Sequence, residues 1–357
     1  MGDDPAREGR LAALEGWLAP RLAPAEAVRV GTPDRPASGF SAETLIVPVR
    51  SRRDGVERVD RYVLRAETPD PAIYPPQAPG LDVEVRIQYE VMRALADHTA
   101  VPLAPLVGYE PDPTVLGAPF FVMGFVEGHV PVEDPIYTRS GFFTEVSAAT
   151  RRRMLDDGVT VLARVHAIDW RAAGLDWLVA PGVTPGVATQ VALWEQASVA
   201  ALTGRRHALL DRGFAWLQRH APAEPPVTLC WGDPRPGNMI WRDGRCVCAT
   251  DFEAAAIGPA ELDVGWWLMF DRWSHEVMGA DRLPGEPTRD EQRAAYAGAA
   301  GRDVGDTRYY EVFAAVRYTA IVVRVMNRMV ARGALPADQT IWLENPAADC
   351  LAQLLDD

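Results

Sequence analysis

The chain of 357 residues carries 36 basic and 49 acidic side chains, a formal charge of −13, and is 48% hydrophobic and 24% charged. Every basic residue is Arg and none is Lys, which excludes a Walker lysine, a Schiff-base lysine and a lysine general base, so a phosphate held here by a side-chain cation is held by an arginine fork. The acidic balance argues against a nucleic-acid polymer or an anionic membrane as the main partner.

The length exceeds what one hydrophobic core usually fills, so two lobes are expected. The start, Met1-Gly2-Asp3-Asp4-Pro5, leads into no apolar run, and no stretch of about 18 uncharged apolar residues occurs. Neither a signal peptide nor a membrane span is expected, and the cytoplasm is the simplest address. Cys230, Cys246, Cys248 and Cys350 are too few and too late in the chain for a disulfide scaffold.

Leu11, Leu14, Trp17, Leu18 and Leu22 recur at helical spacing, which predicts an amphipathic helix over 7–22. A small-residue turn at 38–44 leads into an apolar strand at 45–49. Charged residues 50–60 read as a turn around Asp54-Gly55, and 61–65 as the return strand. A Pro-rich loop (69–79) precedes a helix over about 82–98, with Val83, Ile87, Val91 and Leu95 on one face. Short strands follow near 106–109 and 119–123. Helical patterns dominate from Gly128 onward, over 147–169, 187–221 and 308–332, broken by a β interlude at 227–253 and a Gly/Pro-rich charged loop at 279–290. The fold class is α+β, a small antiparallel sheet lobe plus a mainly helical lobe. The expected division is a helical extension over 1–30, a β-rich lobe over 31–127 and a helical lobe over 128–357.

Polar chemistry concentrates in Trp231-Gly232-Asp233-Pro234-Arg235-Pro236-Gly237-Asn238 and in Asp251-Phe252-Glu253. Apolar segments 227–230 and 239–241 flank a loop stiffened by two prolines and two glycines, which presents Asp233, Arg235 and Asn238. Arg242-Asp243-Gly244-Arg245 turns the chain into a strand ending at Asp251. Two carboxylates and a carboxamide at the ends of neighbouring strands suit a hard, oxygen-seeking cation such as Mg²⁺. Asp-x-x-x-x-Asn followed by an Asp-Phe pair is also the spacing of a kinase catalytic loop and its metal-binding aspartate.

On these motifs the chain resembles the aminoglycoside phosphotransferase family, whose fold is the bilobal protein-kinase-like one; the resemblance runs from about Ser38 to Trp273. It implies Asp233 as the base for the acceptor hydroxyl, Asn238 and Asp251 as Mg²⁺ ligands, and Asp263 as a buried aspartate that holds the catalytic loop's backbone. Trp231 stands where the family usually has His. The segment 39–44, with Ser41, would cover the nucleotide's phosphates, and Met123 and Phe125 would lie in the hinge that meets the base. Arg65 stands where the family's strand carries its phosphate-binding lysine. Its helix partner would be Glu84, the aligned position being Gln88. Arg235 would offer a second cation to the transferring phosphoryl group. His166 ends the long helix as a hydrogen-bonding residue. Trp266, Trp267, Phe270 and Trp273 are spaced for one helix face, which serves either the core or the wall of an acceptor pocket. Asp271, Glu276 and Asp281 serve either a cationic acceptor or a solvated surface.

The resulting expectation is an ATP- or GTP-dependent O-phosphotransferase acting on a small-molecule hydroxyl, as a monomer or homodimer. The alternatives are a nucleotide-binding pseudokinase and a kinase-fold enzyme that phosphorylates transiently in order to dehydrate. Aminoglycosides, hydroxyacyl thioesters, sugars, macrolides and choline-like alcohols all stay open as acceptors.

Overall fold

A computed structural model of the chain describes residues 5–35 and 42–356, and these divide into two compact units. The first unit takes in residues 1–72, 82–93 and 104–126. It opens with helix α1 (Pro5–Arg21) and holds strands β1 (Glu26–Val30), β2 (Glu43–Arg53) and β3 (Val56–Ala66), the start of helix α2 (Glu84–His98), and strands β4 (Leu106–Glu110) and β5 (Phe120–Gly124). The strands form one antiparallel sheet in the order β1-β2-β3-β5-β4.

Residues 50–60 differ from the expected charged turn: β2 and β3 run on as a ribbon, and only Asp54-Gly55 turns. Both take positive φ, +53° and +75°, the backbone of a two-residue hairpin turn that matches the strands' own twist. The sheet's inward face is apolar. Leu14, Trp17 and Leu18 of α1 share a buried cluster with Val28, Val47, Val49, Leu64, Phe120 and Val122, so α1 packs as part of this unit's core. Ser41, expected over the phosphates, lies outside the described residues.

The second unit comprises residues 73–81, 94–103 and 127–357. Its helices are α3 (Phe142–Glu145), α4 (Ala148–His166), α5 (Val187–Leu202), α6 (Ala208–Arg219), α7 (Glu261–Arg272), α8 (Arg289–Ala300), α9 (Arg308–Ala331) and α10 (Pro346–Asp356). Two small antiparallel ribbons are set among them. One pairs β6 (Val227–Cys230) with β9 (Ala256–Pro259), and the other pairs β7 (Met239–Arg242) with β8 (Arg245–Ala249). Trp194, Phe214, Leu217, Trp266, Phe313, Val316 and Leu351 build the core around α9. Thr288 and Glu291 close a capping box at the start of α8, each side chain meeting the other residue's backbone N–H. All four cysteines are buried and none forms a disulfide. Among the described residues no helix is long and apolar enough to cross a membrane.

Candidate active site

The loop from β6 to β7 is fixed before any side chain acts. Gly232 has φ +91°, and a Cβ there would stand 2.1 Å from the carbonyl oxygen of Ala254, so only glycine fits. Asp263, in the first turn of α7 and wholly buried, accepts hydrogen bonds from the backbone N–H groups of Trp231 (2.6 Å) and Gly232 (3.0 Å). Its carboxylate also meets His166 Nε2 at 3.0 Å, and His166 Nδ1 meets the Tyr296 hydroxyl at 2.6 Å. On the other side, Arg317 of α9 donates to the Gly232 carbonyl at 2.7 Å. This guanidinium is buried and lies over the Trp266 and Trp194 rings, 4.5 and 5.0 Å from their centroids, and burial lowers its pKa.

Asp233 is thereby presented in a buried, donor-rich pocket. Its Oδ1 accepts from Trp266 Nε1 at 2.7 Å and Arg235 Nε at 3.0 Å. Its Oδ2 accepts from Asn238 Nδ2 at 2.9 Å and from the Tyr74 hydroxyl at 3.2 Å. Burial outweighs these bonds and pushes the carboxyl up from 3.8 to about 7, with the charge of Asp251 adding to the rise. A carboxyl poised there can take a proton near neutral pH. Tyr74 is pushed well above its ordinary value by burial and by the facing Asp233 carboxylate, so it stays a protonated donor.

One turn of 3-10 helix, Pro236–Asn238, sets Asn238 five residues after Asp233. The Asn238 amide nitrogen is spent on Asp233, on both its carbonyl (2.8 Å) and its carboxylate, which leaves the amide oxygen as the end suited to a cation. Asp251 follows β8, and Thr250 beside it donates from its N–H and its hydroxyl to the Asn238 carbonyl, both at 3.0 Å. Asp251 takes φ +57°, the left-handed region that a short polar side chain tolerates better than most. Trp231 holds that conformation: its Nε1–H donates to the carbonyls of Thr250 (2.9 Å) and Asp251 (3.2 Å). Its ring stacks on Phe252 at 5.0 Å with an 18° tilt. The tryptophan in place of the family's histidine is thus a latch between the two halves of the motif.

An amide oxygen and a carboxylate oxygen are hard donors that fit Mg²⁺. Among the described residues no group of three or more His, Cys, Asp or Glu side chains is arranged to hold a metal.

The remaining expected residues divide between the units. In the first, Arg65 is buried on β3 between Thr44 of β2 and Phe121 of β5. Glu84 and Gln88, on the first turns of α2, are buried too. Glu67, which the sequence reading passed over, accepts from the Val85 N–H at 3.1 Å and so caps α2; burial, and Glu84 beside it, raise its pKa. Met123 lies mid-strand, paired with Val63 and Leu106. Phe125 gives its N–H to the Arg61 carbonyl, and the Arg61 guanidinium lies over its ring at 3.8 Å. In the second unit, Arg235 bonds both Asp233 and Glu133 and lies 5.6 Å from the Phe270 ring centroid. Trp266, Phe270 and Trp273 line a cavity beside Asp233, whereas Trp267 turns away to bond Gln292 at 2.6 Å. Asp271 and Glu276 are engaged by Arg282 and Gln292, and by Arg272 and Arg289.

The model of the phosphotransferase enzyme family matches residues 37–311. An Arabidopsis thaliana protein, IBR3, named as a candidate acyl-CoA dehydrogenase, is 25% identical over 81% of this chain and 35% of its own length. Mouse acyl-CoA dehydrogenase family member 10 is 26% identical over 59% of this chain and 18% of its own length. The chain therefore spans about a third or less of these curated relatives. Among solved structures, a candidate aminoglycoside phosphotransferase from Ralstonia eutropha superposes with a TM-score of 0.72 at 24% identity, covering 97% of this chain and 98% of that one. The macrolide 2'-phosphotransferase MphH of Brachybacterium faecium gives 0.56 at 17% identity, covering 97% and 98%. The streptomycin–ATP complex of APH(2")-IIa gives 0.56 at 12% identity, covering 99% and 97%. Likeness at these identities is one of fold, and the fold is the protein-kinase-like one.

Proposed function

The chain belongs to the phosphotransferase enzyme family, and on that premise we propose that it transfers the γ-phosphoryl group of ATP, or of GTP, to a hydroxyl of a small molecule. The observation that carries this reading is Asp233: buried, held by four donors, lifted to about 7 by burial, and joined through Asn238 to the strand that delivers Asp251.

The acceptor's O–H would lie against Asp233, which takes the proton as the hydroxyl oxygen bonds the γ-phosphorus and the bond to the β-phosphate oxygen breaks. The products are a phosphate monoester and the nucleoside diphosphate. Asn238 and Asp251 would hold Mg²⁺, which when bound neutralises charge spread over the phosphate oxygens. Asp263, Arg317 and Trp231 keep the loop in register, and most of the rate gain comes from positioning and charge stabilisation. Arg65, with Glu84 as its partner, replaces the missing lysine as a phosphate contact in a nucleotide-binding lobe over 31–127, with Ser41, Met123 and Phe125 meeting the rest of the nucleotide. Arg235 keeps Asp233 through Nε and Glu133 through Nη1, and its remaining nitrogen is the second cation for the phosphoryl group. The dehydrogenase names belong to chains of which this one spans only a part, and no dehydrogenation is proposed.

The test is nucleotide turnover across a panel of alcohols, with the product identified by mass. A phosphate ester that disappears in Asp233→Asn supports the reading; nucleotide binding without an ester from any alcohol refutes it.

A further inference from the structure

Beside Asp233 the second unit forms a partly open cavity of about 100 Å³. Ile136, Trp266, Phe270, Trp273, Tyr318 and Ile321 give it an apolar, mostly aromatic wall. The rings brace one another: Phe270 lies 5.3 Å from Trp266, 4.9 Å from Tyr318 and 5.9 Å from Trp273. A cavity of roughly 150 Å³ holds one benzene ring, whereas drug-sized ligands need about 300–1,000 Å³. This space is smaller than that and partly open, so it accepts a short branched chain or part of a ring around the reacting hydroxyl, and the rest of the molecule stays outside.

Charge narrows the class further. Glu133 and Asp233 are the carboxylates that reach the cavity, and Arg235 holds both. Asp271 and Glu276 do not line it and are committed to arginines and Gln292. Aromatic walls often bind ammonium groups through their faces, but two guanidinium groups of this chain already lie against these rings: Arg317 is 4.5 Å from the Trp266 centroid and Arg235 is 5.6 Å from that of Phe270. An ammonium entering the cavity would lose its water, find no uncommitted carboxylate and meet the Arg235 charge.

We infer that the acceptor is a neutral alcohol whose hydroxyl sits on a compact apolar or aromatic body, and not a polycationic amino sugar or a quaternary-ammonium alcohol. The inference rests on the phosphotransferase reading, because it takes Asp233 as the atom the hydroxyl must reach.

Choline and its neutral carbon isostere, tert-butylethanol, have the same shape and differ in charge. Their affinities for the full chain, saturated with Mg²⁺ and the β,γ-imido analogue of ATP, are measured by quenching of tryptophan fluorescence. The neutral isostere is expected to bind at least about tenfold tighter, the discrimination a fitted pocket gives for small changes. Equal binding, tighter choline, or no binding of either overturns the inference. Ile321→Asp should move the ratio about tenfold towards choline relative to Ile321→Asn, which adds polarity without charge; no difference between these two also overturns it. If Ile321→Asp does not fold, the wild-type ratio decides alone. Should the ratio hold while no alcohol is phosphorylated, the phosphotransferase reading fails and the pocket's chemistry stands. Should alcohols be phosphorylated regardless of charge, the pocket reading fails and the phosphotransferase stands.

Discussion

Replacing Asp233 by Asn removes a titration as well as a base, and the two effects separate by pH. In the folded chain the carboxyl titrates at about 7, against an ordinary 3.8, so the native state holds this proton more tightly than the unfolded one. Stability from this group is complete below about pH 4 and is lost as pH rises through about 7. A shift of about 3 units at about 1.4 kcal/mol each sets a ceiling of about 4 kcal/mol over the whole window. Between about pH 5.5 and about pH 8.5 the loss is roughly 2 kcal/mol. An Asn amide would turn donors towards the donors of Trp266, Arg235 or Asn238, at a cost of about 1–3 kcal/mol; that cost does not change with pH and drops out of the comparison. Urea unfolding of the metal-free protein, followed by tryptophan fluorescence at both pH values, gives the wild-type minus variant difference. It should move in the variant's favour by about 2 kcal/mol from the lower to the higher pH, while phosphoryl transfer falls about 10²–10⁴-fold. Parallel pH profiles would show that Asp233 titrates as an exposed carboxylate does, and the argument from burial would fail.

Asp251→Ala should abolish the thermal stabilisation given by Mg²⁺ and nucleotide, about 2.7 kcal/mol at a hundredfold excess over Kd, while Asp233→Asn keeps it; calorimetry with and without Mg²⁺ distinguishes ligand from base. Trp231→Phe preserves a ring for Phe252 but strips the donor from the Thr250 and Asp251 carbonyls. It should cost about 1–3 kcal/mol of stability, with a weaker apparent Mg²⁺ affinity in turnover assays. Gly232→Ala forces a Cβ into the Ala254 carbonyl at positive φ and should lose at least about 3 kcal/mol in chemical denaturation. Gly298→Ala, in α8 with open space around it, should instead gain about 0.5–1 kcal/mol. Wild-type kcat/KM should rise with pH through about 7, because the base acts ionised.

The candidate site is legible in the sequence where it is local. Asp233, Asn238 and Asp251 sit within one ribbon and its two loops, so their spacing along the chain is close to their spacing in space. Asp263 needed the family resemblance, since thirty residues separate it from Gly232 and nothing in its neighbourhood marks a buried carboxylate. Tyr74 could not be read at all: it reaches Asp233 from 159 positions away, out of a proline-rich loop with no periodicity. Arg317 was hidden in another way, as a charge on an otherwise apolar helix face next to Val316 and Ala320. Charged residues at 50–60 suggested a long turn, although Arg50 and Arg52 are the outward positions of a strand whose Val49 and Ser51 face inward. For α8 the signal was present, because Thr288-x-x-Glu291 is the capping box that the structure closes. The division of the aromatic cluster between cavity and core depended on which face of α7 meets α9, a question that spacing within one helix does not answer.

Arginine in place of every lysine, together with four buried cysteines, leaves the folded chain without a side-chain amine or an accessible thiol. Reagents for such nucleophiles therefore report opening of the fold and not its surface. Burial raises the thiol pKa of Cys230, Cys246 and Cys350, which slows reaction further while they stay enclosed. Cys246 and Cys248 lie on β8, the strand that delivers Asp251, whereas Cys230 and Cys350 lie in the core around α9. A pulse of thiol reagent followed by peptide mapping thus carries two clocks, one for the ribbon that leads to Asp251 and one for the core around α9, which Cys230 reaches from the end of β6 and Cys350 from α10. Amine-directed labels add no background from any side chain to either.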